Sequence, residues 1–319
     1  HGVEISGFLK TITEASGVSG AESQVAGIVA EHFSTLADEV RTDALGNVIA
    51  LKRGEGTASG GHPRIMLAGH MDEIGLMVTK VDRGFLRFAT VGGFDVRTLL
   101  GQEVIVHGRR PLAGVSGSRP PHVLSPSENE KIVPLEDLFI DVGMEQDALA
   151  QLVDVGDVVT IRREQVKMAG DYLASKALDD RAAVAAIAFC LELLARRRHT
   201  WDVYAVATVQ EEAGLRGAMT SAYGVAPQLA IAVDVTFGSQ FGVSETQTMT
   251  MGGGPPIGLG ANFHPRVHER LVETAKACEI PYQIEPTPGH SGTDAWAMQV
   301  SREGVPTGLL SIPLRYMHT

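Results

Sequence analysis

Apolar positions along this 319-residue chain follow two periods, helical and alternating, and the texture changes twice. Residues 22–35, ESQVAGIVAEHFST, put Val25, Ile28, Val29 and Phe33 on one helical stripe. Residues 40–54, VRTDALGNVIALKRG, read as two short strands around a Gly-Asn turn, and PRIMLAG at 63–69 as a buried strand. From about 74 to 165 the segments IGLMVTKVDRGFLRFATVGG, QEVIVHG, LAGVSGS and VDVGDVVTIRRE are short, alternating and β-branched, with no long helical pattern. After 170, helical patterns at 179–197, 264–279 and 292–303 interleave with strand patterns at 202–209, 229–235 and 306–313. That alternation predicts parallel βαβ units. The expected fold class is therefore α/β, with one domain made of residues 1–72 and 166–319 and a β-rich domain, 73–165, inserted between.

In open α/β sheets, ligands bind outside the carboxyl ends of the strands. PRIMLAG leads there to His70 and Asp72, the 202–209 strand to Glu211 and Glu212, LAIAV to Asp234, and TGLLSIPLRYM to His318. SKALDD puts Asp179 and Asp180 at the start of the following helix. Each has an ordinary reading alone: a helix cap for Asp179 or Asp180, a turn residue for Asp234, a solvated loop for the glutamates, a hydrogen-bonded ring for either histidine. Their convergence on one sheet edge is harder to explain that way.

Mixed imidazole and carboxylate donors suit Zn²⁺, Co²⁺ or Mn²⁺ better than Mg²⁺ or Ca²⁺. Two neighbouring ions need a bridging carboxylate and separate ligands for each. One further carboxylate, left off the metals, can deprotonate a water and protonate a leaving amine. His70-x-Asp72 also fits a carboxylate that orients a ligating imidazole. Neighbouring strand residues face opposite ways, so Glu211 and Glu212 take different roles if the strand pattern persists through them.

Composition narrows the partners. A net charge of −11 disfavours nucleic acid and anionic membrane, and the basic run ARRRH (195–199) is expected to complement a helix C-terminus. Two cysteines far apart, Cys190 and Cys278, suggest packing residues in a reducing compartment. With no long apolar span or signal pattern, the expected location is cytoplasmic. The opening HGVE, without a Met, is set aside. MGGGPPIGLG (251–260) lacks the GxxxxGK phosphate loop, GVSGS (114–118) is no nucleophile elbow in a β region, and His290 is a candidate pocket lining.

In order, AGHMDEIGLMVT, SKALDDR, TVQEEAGLRGA, AVDVT, GHSGTDAWAMQ and IPLRYMH, with PPHVL and LFIDVG in the β region, resemble the TET-type aminopeptidases over essentially the whole chain. These are dinuclear metallopeptidases that include glutamyl, leucyl and deblocking enzymes. The resemblance implies a phosphorylase/hydrolase-like catalytic domain with an inserted PDZ-like β-barrel domain that helps build oligomers. It also implies two divalent ions per subunit, short peptides as substrates, and assembly through dimers into a hollow tetrahedral dodecamer. By motif position His70 and Asp234 would bind one metal, Glu212 and His318 the other, and Asp179 both. Asp179 is taken over Asp180 because the motif keeps acid at the first position and allows Asn at the second. Glu211 would be the catalytic base and Asp72 the residue orienting the site.

Three alternatives stand beside this reading: a deacylase or carboxypeptidase of the wider dinuclear class, and a non-catalytic scaffold capturing peptide ends. Paired carboxylates accompanied by His ligands do not favour a glycosidase. In the family RYMH is usually followed by a small residue, a nearby Glu and a closing segment, whereas here Thr319 follows His318 directly. Were that tail absent, His318 would sit on a fraying end and hold its ion weakly.

Overall fold

The computed structural model describes residues 2–56 and 61–319; His1, where HGVE starts, lies outside them. An eight-stranded sheet runs in the order Glu39–Thr42, Val48–Lys52, Asp202–Thr208, Arg64–His70, Leu229–Phe237, Thr307–Leu314, Pro256–Leu259, Gln283–Pro286. Its four central strands are mutually parallel, and the strands flanking them on either side run antiparallel.

Both faces are covered, which is why VYAVATV reads as a continuous apolar run rather than an alternating one. On one face the helices Gly2–Glu14, Ser23–Ser34 and Leu178–Leu194 pack Phe8, Val29, Phe33 and Ile187 against Val48, Ala50, Ala205 and Ala207. On the other, Arg216–Val225 and Asp294–Gln299 bring Ala218, Ala222, Ala295 and Met298 to Met66, Ala68, Val206 and Ala232. Gly69 shows how closely the first layer approaches: a Cβ there would lie 2.9 Å from Ala183 Cβ and 3.2 Å from Asp180 Oδ2.

The β region forms a closed barrel of six strands, every neighbouring pair antiparallel: Gly75–Asp82, Phe85–Val91, Phe139–Asp141, Pro111–Gly117, Glu103–His107 and Val158–Ile161. Closure leaves no open edge, and Leu76, Val78, Leu86, Val104, Ile140 and Val159 fill the interior. Among the described residues no helix is long and apolar enough to cross a membrane.

The structure departs from the sequence pattern in a few places. The helix expected over 292–303 spans only Asp294–Gln299: Thr293 caps its start, and positive φ at Arg302 and Gly304 turns the chain after it. The helices Gly2–Glu14 and Arg216–Val225 and the strands Pro256–Leu259 and Gln283–Pro286 have no counterpart among the elements expected from the pattern. Small residues dilute the helical stripe in RGAMTSAYGV, and glycines and prolines mask the strand inside GGGPPIGLG.

Candidate metal centre

The register of the sheet levels its functional side chains. His70 ends its strand paired with Thr208. Ala68 pairs with Ala232, so His70 and Asp234, two residues beyond each, reach the carboxyl edge together and on one face. Asp179 lies at the start of the Leu178–Leu194 helix, but its φ and ψ of −79° and 105° take it out of the helical path. The cap position belongs to Ala177, so neither Asp179 nor Asp180 serves as the N-cap.

The glutamate pair does not follow the strand. The strand stops at Thr208, Gln210 adopts a positive φ, and Glu211 and Glu212 occupy the turn leading to the Arg216–Val225 helix. Their divergence comes from this turn and not from the pleat. Asp72 fixes the turn: one of its oxygens accepts the Glu211 N–H at 3.0 Å and the other the Glu212 N–H at 3.2 Å. The Ser19 hydroxyl donates to the same carboxylate, and His70 Nδ1 lies 3.4 Å from it.

Around this scaffold the side chains converge. One Asp179 oxygen is 3.0 Å from His70 Nε2, and the other is 3.2 Å from His318 Nε2. Glu212 stands 3.2 Å from the same His318 nitrogen, and Glu211 3.7 Å from His70 Nε2. His70, Glu211 and Asp234 offer donor atoms that all lie within 4.8 Å of one another, as do His70, Asp179 and Glu212. His318, more than a third exposed, is backed by the barrel segment: its carbonyl accepts the Asp95 N–H, and a Cβ on Gly93 would come 2.9 Å from its Nδ1.

The electrostatics describe a site with too much buried negative charge. Burial, reinforced by Asp234, Asp294 and Glu212, pushes the Glu211 carboxyl up to about 9. Burial likewise drives Asp234 and Asp180 well above the usual range, each aggravated by a neighbouring aspartate. Burial resists charge on His70, yet Glu211, Asp179 and Asp72 outweigh it and hold the ring protonated well above its ordinary value. Hydrogen bonds to Asp179 and Glu212 raise His318 to about 10. Buried Oδ1 atoms of Asp180 and Asp294 have no hydrogen-bond partner. Such a donor set matches divalent cations, which would neutralise the carboxylates and take over the imidazole nitrogens.

Four residues around the centre have contacts that the sequence pattern does not show. Ser19 holds Asp72 from 53 residues away, and nothing local to it signals that role. Asp180 accepts the backbone N–H of His70. Asp294 is buried and hydrogen-bonded to Thr208, in the GTDAW stretch whose aspartate reads as an ordinary helix start. Glu73 comes directly after Asp72 but turns away from the centre, to Lys176 and Arg181. His290 packs against Trp296 with ring centroids 4.6 Å apart and planes tilted by 35°, and does not line the cavity beside the centre. That cavity, about 640 Å³, reaches Asp179, Glu212 and His318, with Phe94, Ile161, Met168, Leu173 and Met317 among its walls.

A mixed α/β sheet with histidines and carboxylates gathered at its carboxyl edge, and a β-barrel alongside, fits a metal-dependent hydrolase, and comparison with known proteins makes it a peptide hydrolase of the aminopeptidase class. The family model for M42 glutamyl aminopeptidases matches residues 46–319, and the chain belongs to the M42 family. It is 37% identical to a lysyl aminopeptidase of Pyrococcus furiosus, over 98% of this chain and 90% of that one. Among solved structures, the aminopeptidase of Desulfurococcus kamchatkensis superposes with a TM-score of 0.91 at 39% identity, covering 99% of this chain and 89% of that chain. The TET1 peptidase of Pyrococcus horikoshii, described as able to assemble into a tetrahedron or a large octahedral shell, gives 0.85 at 32% identity, over 99% and 92%.

Proposed function

We propose that the chain removes N-terminal residues from short peptides with two divalent ions, Zn²⁺ or Co²⁺ before Mn²⁺. The observation carrying this reading is Asp179, whose two oxygens each face a different histidine. His70 and Asp234 would hold one ion, Glu212 and His318 the other, and Asp179 both. When bound, the ions supply Lewis acidity toward the scissile carbonyl and make a water acidic enough to be deprotonated near neutral pH. Glu211, turned inward, accepts that water's proton and passes it to the departing amine. Asp72 contributes by position: it holds the His70 ring on one side and the Glu211–Glu212 turn on the other. The neighbouring cavity gives a peptide side chain room next to the site. Assembly of this chain into dimers and a tetrahedral dodecamer, and a cytoplasmic location, belong to the same proposal.

A panel of aminoacyl-nitroanilides with Co²⁺ or Zn²⁺, run beside N-acetylated controls, tests the function. Free-amine substrates are expected to be cleaved, acetylated ones not, and a chelator to abolish the rate. Nitroaniline release from blocked substrates alone, or from none, would sink the aminopeptidase reading.

Proton linkage provides a second check. The ion-free centre keeps His70 and His318 protonated at pH 7. An entering ion must displace those protons, so metal affinity falls as pH drops and rises toward the His318 value of about 10. Calorimetry in buffers of different ionisation enthalpy is expected to show proton release at pH 7. A heat independent of the buffer would contradict the assignment of the two histidines.

A further inference from the structure

We infer that the buried cluster Glu73–Lys176–Arg181 is a positioning device that sets the Asp179 segment against the His70–Asp72 segment. The inference rests on reading those residues as the metal centre. Glu73 comes directly after Asp72, while Lys176 and Arg181 bracket Asp179 three residues before and two after it. The hydrogen bonds and ion pairs of the three side chains go to one another and to backbone groups, none to His70 or His318. All three are buried or nearly so, at 4–5%, 10% and 0% exposure.

Their bonds are directional. Lys176 Nζ donates to both Glu73 oxygens, at 2.8 and 2.7 Å, and to the Ala15 carbonyl at 2.8 Å. Arg181 spreads its guanidinium over two segments, residues 12–15 and 71–73. Nε donates to Met71 O at 2.8 Å, Nη1 to Ile12 O and Ala15 O at 2.6 and 2.7 Å, and Nη2 to Glu73 at 3.3 Å. The Gly17 N–H completes Glu73 at 3.0 Å. The Ile12 and Ala15 carbonyls lie at and just beyond the end of the Gly2–Glu14 helix, where backbone acceptors lack helical partners and a cation is favoured.

The cluster's place in the chain suggests what it does. The first barrel strand begins at Gly75 and the chain re-enters the α/β part with the Leu178–Leu194 helix. Glu73 and Lys176 therefore stand at the outgoing and returning necks of the insertion, 103 residues apart in sequence and in direct contact. His70 and Asp72 lie just before one neck and Asp179 just after the other. A buried ion cluster adds little net stability compared with apolar packing of the same volume, and its use here fits the fixing of one geometry. Arg181 suits that task, because its planar fork fixes direction as well as charge.

The full-length chain tests this with Co²⁺ titrations followed by visible absorbance, which reads the ions directly and not turnover. Glu73→Gln and Lys176→Met are expected to weaken Co²⁺ binding by about 10–100-fold, the range typical when groups supporting metal ligands are lost. Lys176→Arg should recover most of that loss. Val106→Ala, in the barrel interior, lowers thermal stability without touching the necks and is expected to keep wild-type affinity. If Glu73→Gln does not fold, Lys176→Met at the rim of the cluster carries the same comparison. Folded variants that bind two Co²⁺ as tightly as wild type, whatever their melting temperature, would reduce the cluster to a stability element and overturn the inference. A wild-type chain that binds no Co²⁺ would instead overturn the metal centre itself, and this inference with it.

Discussion

Replacing Glu211 by Gln is expected to lower kcat by about 10²–10⁴-fold, the usual contribution of a positioned general base, with both ions still bound. The substitution keeps the shape of a side chain only 9% exposed and removes its ability to take a proton. Without ions Glu211 is held protonated, up to about 9, chiefly because it is buried among Asp234, Asp294 and Glu212. A divalent charge next to it favours the carboxylate form, which is what a base must be near neutral pH. Glu211 also offers an oxygen within 4.8 Å of donors on His70 and Asp234, so direct ligation is the competing role. Metal analysis of the same variant separates the two. Loss of an ion together with activity would make Glu211 a ligand, and retention of most activity would sink the base assignment.

The second large effect is expected at Asp179. Asp179→Asn keeps one oxygen and swaps the other for an amide that cannot accept from His318 or share charge with a second ion. Metal ions contribute several kcal/mol of transition-state stabilisation, and at about 1.4 kcal/mol per decade the expected loss of kcat/KM is on the order of 10³-fold. Binding isotherms should fall from two ions to at most one. The neighbouring Asp180→Asn is the useful contrast, because Asp180 is occupied with the His70 backbone N–H and is assigned to neither ion. Equal losses at the two positions would contradict the choice of Asp179 as the shared ligand.

Much of this was legible in the chain. Buried parallel strands announce themselves as short apolar runs, and the residues just after each run must emerge at one edge of the sheet. That logic gathered His70, Asp72, Glu211, Glu212, Asp234 and His318, while Asp179 stands at a helix start beside Asp180 and is preferred over it only through the family resemblance. The β-branched texture between 74 and 165 marked the barrel, although only the closed strand pairing shows that it is one. The turn at Gln210 was hidden, because the apolar run continues through Val209 and nothing local shows the strand ending at Thr208. Ser19, Asp294 and the Glu73–Lys176–Arg181 cluster were hidden for a different reason: each acts through a contact across tens of residues or more, and period and spacing carry no trace of such pairings.

The number of ions per chain, and the side chains that hold each of them, decide most directly whether this is a two-metal centre bridged by Asp179. Protein equilibrated with Zn²⁺, freed of excess by gel filtration and analysed by elemental mass spectrometry should carry two ions per wild-type chain, one in His318→Ala and one in Asp234→Ala. A wild-type chain with a single ion, or a His318→Ala chain that keeps two, would contradict it.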